Sequence, residues 1–271
     1  DPKSRLHIAK DTYPREQDLI RQLDLMHATL EKHGVEVLRP HIVSNCNQIF
    51  SRDIAFVVED CLFISNILPA RKREIYAIQY ILDRIPKQNI RSIPEDVHVE
   101  GGDVIVHDEF LFVGFYDQPD YADYITARTN AKALSYLSEQ FPLKKVIGFE
   151  LNKSNDDPFA NTLHLDCCFQ PFGNDLAIVC PEGFMHHDDL AWIENHFGSE
   201  NLFFTDQQSM FEMQSNLLSL RPDLVISDPS FTEVNKWLNT KGIQIITVPY
   251  DEISKQGGLF RCSTLPLIRK A

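Results

Sequence analysis

The stretch IAFVVEDCLFIS, residues 54–65, decides the fold. Two short apolar runs flank Glu59-Asp60, the pattern of two strands joined by a tight polar turn. A helix is expected from about Pro69, because Ile75, Ile78, Leu82 and Ile85 recur at spacings of three and four residues and form one stripe. The same order then repeats. DVIVHDEFLFVGF (103–115) turns at His107-Asp108-Glu109 and leads to a helix through Ala127 to Leu137 and the strand KVIGFEL. LDCCFQPFGNDLAIVC (165–180) turns at Gly173-Asn174-Asp175 before a helix near DDLAWIENHF and the strand NLFF. NLLSLRPDLVIS (216–227) turns at Arg221-Pro222-Asp223, followed by a helix over FTEVNKWLNTKG and the strand IQIITVPY. The chain therefore reads as an α/β repeat protein with four complete hairpin-helix-strand units.

The ends supply a fifth, broken unit. A helix with Pro14 in its first turn carries Leu19, Leu23, Met26 and Leu30 on one face, stops at Gly34 and leads into the strand VEVL (35–38). After Cys262, the residues Leu265, Leu267 and Ile268 read as a short buried strand, which would give this unit half of its hairpin if the chain closes on itself. Closure removes the edges that an open sheet must otherwise protect. The other half is expected upstream of residue 1, and residues 1–271 are expected to form a single domain.

Composition narrows the function. The 271 residues are 43% apolar and carry a net charge of -13, with the acidic residues scattered. Binding to a phosphate backbone needs clustered Lys and Arg, so no nucleic-acid partner is expected. A negative field is mildly favourable to a cationic small molecule. No run approaches the roughly 18 apolar residues of a membrane span, and the polar opening DPKSRLHIAKDTYP is no signal peptide. The six cysteines lack CxxC spacing, which favours a reduced, cytoplasmic protein over a disulfide framework.

Equivalent positions of a pseudosymmetric ring face one axis. The residues at or just before each hairpin are Asp53, then Glu100 and Asp103, then His164 and Asp166, then Asn216, and finally Cys262. A thiol with a histidine is a nucleophile-and-base arrangement, and a carboxylate beside the histidine fixes its tautomer and supports its positive charge. Further carboxylates suit a planar guanidinium, whose paired N–H donors match carboxylate oxygens. The Gly257-Gly258 pair permits positive φ or a close backbone approach just ahead of Cys262.

FSRD (50–53), EGGDV (100–104), HLD (164–166) and GGLFRCSTLPL (257–267) together resemble the guanidine-modifying superfamily of arginine deiminases, dimethylarginine dimethylaminohydrolases and amidinotransferases. The resemblance covers Arg39 to Arg269 in the right order. It implies a five-bladed α/β propeller, the pentein fold, and a hydrolase that forms a covalent Cys-thiouronium on a small-molecule guanidino substrate. By the same resemblance Cys262 is the nucleophile, His164 the acid/base and Glu100 its orienting carboxylate. Asp53 and Asp166 would grip the guanidinium, Asn47 would contact substrate, and Arg128, in ARTN, would bind a substrate carboxylate. Asp103 is expected to be structural. No metal and no cofactor are implied, since every role falls to a side chain, and a homo-oligomer is left open.

Other polar clusters carry plainer expectations. MHHDD (185–189) places two adjacent histidines at a helix start rather than at i and i+4, so a solvated turn is expected there rather than a metal site. His98 and His107 read as surface or hydrogen-bonded core residues, Cys167 and Cys168 as packing, and PARKRE (69–74) as a solvated helix face. Two rivals accompany the hydrolase: an amidinotransferase, in which an amine attacks the same intermediate, and a non-catalytic binding module, which predicts loss of the cysteine, histidine and carboxylates that are all present. The Arg261-Cys262 pair, Asn47 and ARTN favour the hydrolase.

Overall fold

The computed structural model describes residues 1–119 and 121–269. Within them lie four separate three-stranded sheets, none closed on itself. The first contains β1 (Ala55–Val58), β2 (Cys61–Ile64) and β3 (Ile90–Ser92); the second β4 (Val104–His107), β5 (Phe110–Phe115) and β6 (Lys145–Glu150). The third contains β7 (Phe169–Phe172), β8 (Leu176–Val179) and β9 (Leu202–Phe204); the fourth β10 (Leu218–Arg221), β11 (Leu224–Ser227) and β12 (Gln244–Thr247). Each sheet has one wiring. An antiparallel hairpin comes first, then a crossover returns the chain parallel to the hairpin's second strand, so that strand is central.

The turns explain the hairpins. Glu59 and Asp108 adopt φ of 56° and 49°, the left-handed conformation that lets a two-residue loop follow the twist of its strands. The central strands are apolar on both faces, as their burial between crossover and neighbouring unit requires. Leu111, Phe112, Val225 and Ile226 are all inaccessible to solvent.

Three expectations need correction. Neither VEVL (35–38) nor the run after Cys262 forms a strand. With no hairpin to pair with, these segments pack as side chains instead: Leu38, Leu265 and Leu267 cover the cluster of Ile54, Leu62, Ile67 and Ile78. Of the fifth unit expected, only the helix is present as read, at Glu16–Lys32, where it buries Met26 and Leu30. Its Gln22 side chain accepts the N–H groups of Glu252 and Ile253 and donates to Asp251, capping the short helix before the Gly-Gly pair. Secondly, the helix expected from Ala127 begins at Lys132, because the backbone of Thr129 and Asn130 bonds to Tyr116 and His98. Thirdly, the segment from Pro69 to Ile78 winds as a 3₁₀ helix before one α turn, Gln79–Leu82.

The first helix was not anticipated, nor were the short helices Gln207–Phe211 and Asp251–Ser254. Residues Pro2–Ala9 form a helix, N-capped by Asp1, whose carboxylate accepts the N–H groups of Lys3 and Ser4.

Candidate active site

The chain enters its hairpins at neighbouring points. The Arg52 N–H donates to the Cys262 carbonyl at 3.0 Å. Gly101 lies so close to Arg52 that a Cβ there would come within 2.3 Å of its carbonyl oxygen. Glu100 bonds His164 at 2.9 Å, and Asn216 donates to the Asp166 carbonyl at 3.2 Å and approaches the Cys262 sulfur at 3.2 Å. These links run through all five entry segments and return to Cys262, a closed circuit. The Gly-Gly pair serves it directly. Gly257 has φ +89°, and a Cβ on Gly258 would sit 2.5 Å from the Phe50 ring and 2.9 Å from the Cys262 Cβ.

On one side of the circuit stands a mesh of charge. His164 bonds Glu100 through Nε2 and places Nδ1 3.8 Å from Asp53. The Arg128 guanidinium contacts both Glu100 oxygens, at 3.2 and 3.1 Å, and Arg71 pairs with Asp53 at 2.7 Å while gripping Glu74 with two N–H groups. Asp103 holds the frame, accepting from the Leu165 N–H at 2.8 Å and from the Thr129 hydroxyl at 2.6 Å; it is structural, as expected. The buried Lys153 ammonium donates to the carbonyls of Thr162 and Leu163, the two residues before His164.

On the other side lies the thiol. Cys262 is 2% exposed, and its sulfur lies 3.8 and 3.9 Å from the Asp166 oxygens. Asp166 is itself paired with Arg261 at 3.1 Å, and Arg261 is anchored on the Val104 carbonyl. Asn216 accepts the backbone N–H groups of Arg261 and Cys262.

The two sides differ in ionisation. Burial alone would drive the proton from His164, but Asp53, Asp103 and Glu100 outweigh it and lift the imidazole to about 9. Burial pushes Glu100 up, yet Arg128, His164 and Arg71 pull it down to about 2. Cys262 is held well above the usual thiol range by burial and then by the carboxylates of Asp166 and Asp53. At neutral pH the site therefore holds an imidazolium, a carboxylate and an un-ionised thiol.

The structure brings Cys262, His164, Glu100, Asp53, Asp166 and Arg128 together, each under 5% exposed. Asn47 stays at the rim, exposed, bonded to Gln256 in the loop that carries the Gly-Gly pair. Within PARKRE, Pro69, Ala70, Lys72 and Arg73 are exposed as expected, but Arg71 reaches the site and Glu74 is buried. MHHDD does open a helix, with His186 bonded to Glu150 at 2.7 Å. Asp53, Glu100 and His164 present ligand-type atoms within 4.8 Å of one another, a set that a metal ion could use. Arg71 and Arg128 already engage two of these residues, so the set as built is matched to planar N–H donors.

Lys3, on the first helix, is buried and lines a small cavity together with Cys167 and Gly257. Its ammonium bonds the Phe211 carbonyl and lies 4.6 Å from the centre of the Phe211 ring, and burial lowers its pKa to about 7.

Fold and site together define a member of the guanidine-modifying, or pentein, superfamily. Residues 5–269 match the family described as eukaryotic N,N-dimethylarginine dimethylhydrolase, and the chain belongs to that family. It is 31% identical over 242 residues to the Bacillus subtilis protein YkgA, covering 89% of this chain and 77% of that one. It is 26% identical over 267 residues to the arginine deiminase of Bacillus cytotoxicus, covering 83% of this chain but only 62% of the deiminase. Among solved structures, the N-terminal domain of ArgZ covalently bound to a reaction intermediate superposes with a TM-score of 0.79 at 19% identity, over 94% of this chain and 88% of that one. A dimethylarginine dimethylaminohydrolase carrying a 4-chloro-2-hydroxymethylpyridine adduct gives a TM-score of 0.74 at 16% identity, over 93% and 92% of the two chains.

Proposed function

We propose that the chain hydrolyses a C–N bond at the guanidinium carbon of arginine or an arginine-like compound, releasing a ureido product and ammonia or an alkylamine. The observation that carries this reading is the convergence of the Cys262 thiol and the His164–Glu100 pair inside a buried site whose carboxylates already bind guanidinium groups of the chain itself. The names of the relatives support it, as does the covalent intermediate reported for ArgZ.

In the proposed sequence the substrate guanidinium sits between Asp53 and Asp166. Its positive charge offsets the groups that keep Cys262 protonated, so the thiol releases its proton to solvent as the substrate binds and recovers one when the sulfur is expelled at the end. The sulfur attacks the guanidinium carbon, and His164 gives its proton to the departing amine. A thiouronium remains on Cys262. His164, now neutral, takes a proton from water, which attacks the same carbon; expulsion of the sulfur leaves the ureido product. Glu100 keeps the imidazole oriented and charged between steps. In this reading Arg128, and with it Arg71, would receive a carboxylate at the far end of the substrate. All of these roles belong to side chains of the chain, with no cofactor invoked.

An amidinotransferase would share every step to the thiouronium, with an amine replacing water. Incubation with arginine, methylated arginines, agmatine and guanidino acids, with and without an acceptor amine, separates the two. Ureido product from one of these substrates is expected. A new guanidino compound without any ureido product would end the hydrolase reading.

We further propose that the four sheets and the Glu16–Lys32 helix are units of a five-bladed propeller in one domain, a reading supported by the closed circuit of contacts and by the superpositions. A cytoplasmic location fits the six free cysteines, and among the described residues no helix is long and apolar enough to cross a membrane.

A further inference from the structure

Asn216 opens the fourth unit and is completely buried. Its carboxamide is used in every direction. Oδ1 accepts from the N–H groups of Arg261 at 3.0 Å and Cys262 at 3.3 Å. Nδ2 donates to the Asp166 carbonyl at 3.2 Å and directs its other N–H toward the Cys262 sulfur, also at 3.2 Å. An asparagine offers two donors and one oxygen with two acceptor sites, so its capacity is filled. The orientation of the amide is fixed by this pattern. Two backbone donors and one backbone carbonyl leave room for only one assignment of oxygen and nitrogen, and that assignment aims N–H, not oxygen, at the sulfur.

We propose that Asn216 acts on the reacting atom: it holds the Cys262 sulfur in line and stabilises its thiolate through the Nδ2–H donor. The inference rests on the reading of Cys262 as nucleophile. A donor favours the charged form of its acceptor, and a thiolate is a far better acceptor than a thiol. A backbone hydrogen bond with Leu259 also favours the anion, but the remaining neighbours of the sulfur oppose ionisation or lie farther off. Asp166 and Asp53 disfavour the anion, whereas Arg52 and Lys3 favour it from a distance and Arg261 is committed to Asp166. The same bond aids the second half of the reaction, since sulfur must leave the adduct as a thiolate.

A clamp on the backbone of residues 261–262 is the competing role, and a pair of variants of equal shape separates them. Asn216→Val loses both the clamp and the donor, whereas Asn216→Thr keeps one shorter hydroxyl that can donate to the sulfur but cannot stand in for the whole carboxamide. The measurement is the pH dependence of iodoacetamide modification of Cys262 in the full chain, assigned by mass spectrometry. In Asn216→Val the midpoint should rise by about one pH unit, with about tenfold slower modification below it; Asn216→Thr should recover much of the loss. Wild type, Val and Thr titrating alike would overturn the proposal. Should the Val variant fail to fold, the wild-type protein decides: the Asn216 side-chain amide proton should move downfield in step with Cys262 ionisation, and an amide that stays still through that titration would overturn it. No substrate enters either measurement, so failure here is distinct from failure to find ureido product.

Discussion

The two sides of the site solve opposite problems. Around His164, charge is matched in advance: Glu100, Asp53, Arg128 and Arg71 alternate in sign, and the surrounding carboxylates favour the imidazolium. Around Cys262 the sulfur is positioned by Asn216 but left un-ionised among acidic neighbours. In the proposed reaction the acid would be ready before the substrate arrives, whereas the nucleophile would wait for the substrate's own charge. A buried thiolate facing empty space would be costly, and this division avoids forming one.

The largest expected effect falls on the sulfur side. Cys262→Ser should lower kcat by about 10⁴-fold or more with the fold retained, because a serine hydroxyl in this setting lacks the acidity to attack. Burst and steady-state product assays read it. Comparable turnover in the Ser variant would remove Cys262 from the chemistry.

Next comes the orienting carboxylate. Glu100→Gln should lower kcat by about 10²- to 10³-fold and shift the alkaline limb of its pH profile downward. The sign follows from the lifted pKa of His164: without the Glu100 charge the imidazolium loses support, so the proton needed by the leaving amine is lost at lower pH. An unmoved limb would break the contrast between the two sides.

Arg128→Ala and Arg71→Ala should each raise KM by about 10- to 100-fold for substrates with a carboxylate, and much less for agmatine, which has none. Equal losses on both substrates would mean that these guanidinium groups serve only Glu100 and Asp53.

A smaller effect concerns stability. His164 binds its proton up to about 9 in the folded chain against 6.5 in a model imidazole, so its contribution is complete below pH 6.5 and fades as pH rises through 9. Chemical denaturation of wild type and His164→Ala across that window should show the wild type losing stability more steeply. Parallel curves would show that the mesh does not hold the proton as described.

The hairpins were legible because apolar runs around two- and three-residue polar turns leave few alternatives, and the convergence of Asp53, Glu100, His164, Asp166 and Cys262 followed from their equivalent places in the repeat. The fifth unit misled, since a four-residue apolar run such as VEVL has strand propensity but needs a partner to become a strand. Arg71 was hidden by its company: a basic stretch with Glu74 three residues on resembles an exposed helical ion pair, and only the fold shows that Asp53 completes it. Asn216 stood at the right position in the repeat, but the direction of an amide is a three-dimensional fact. The Asp1-Pro2 start carried a capping signal that was overshadowed by the polarity of the segment.

That first helix has a kinetic meaning. Cys262, His164 and Glu100 are at most 2% exposed, so a substrate would reach them only if a covering segment moved, and Lys3 of this helix is buried in the neighbouring cavity beside Cys167 and Gly257. Something must unlatch, and this short segment, with Ile8 61% exposed and few apolar side chains to bury, is far cheaper to detach than any sheet. Turnover in such a molecule would be timed by its doorway as much as by its bond-breaking.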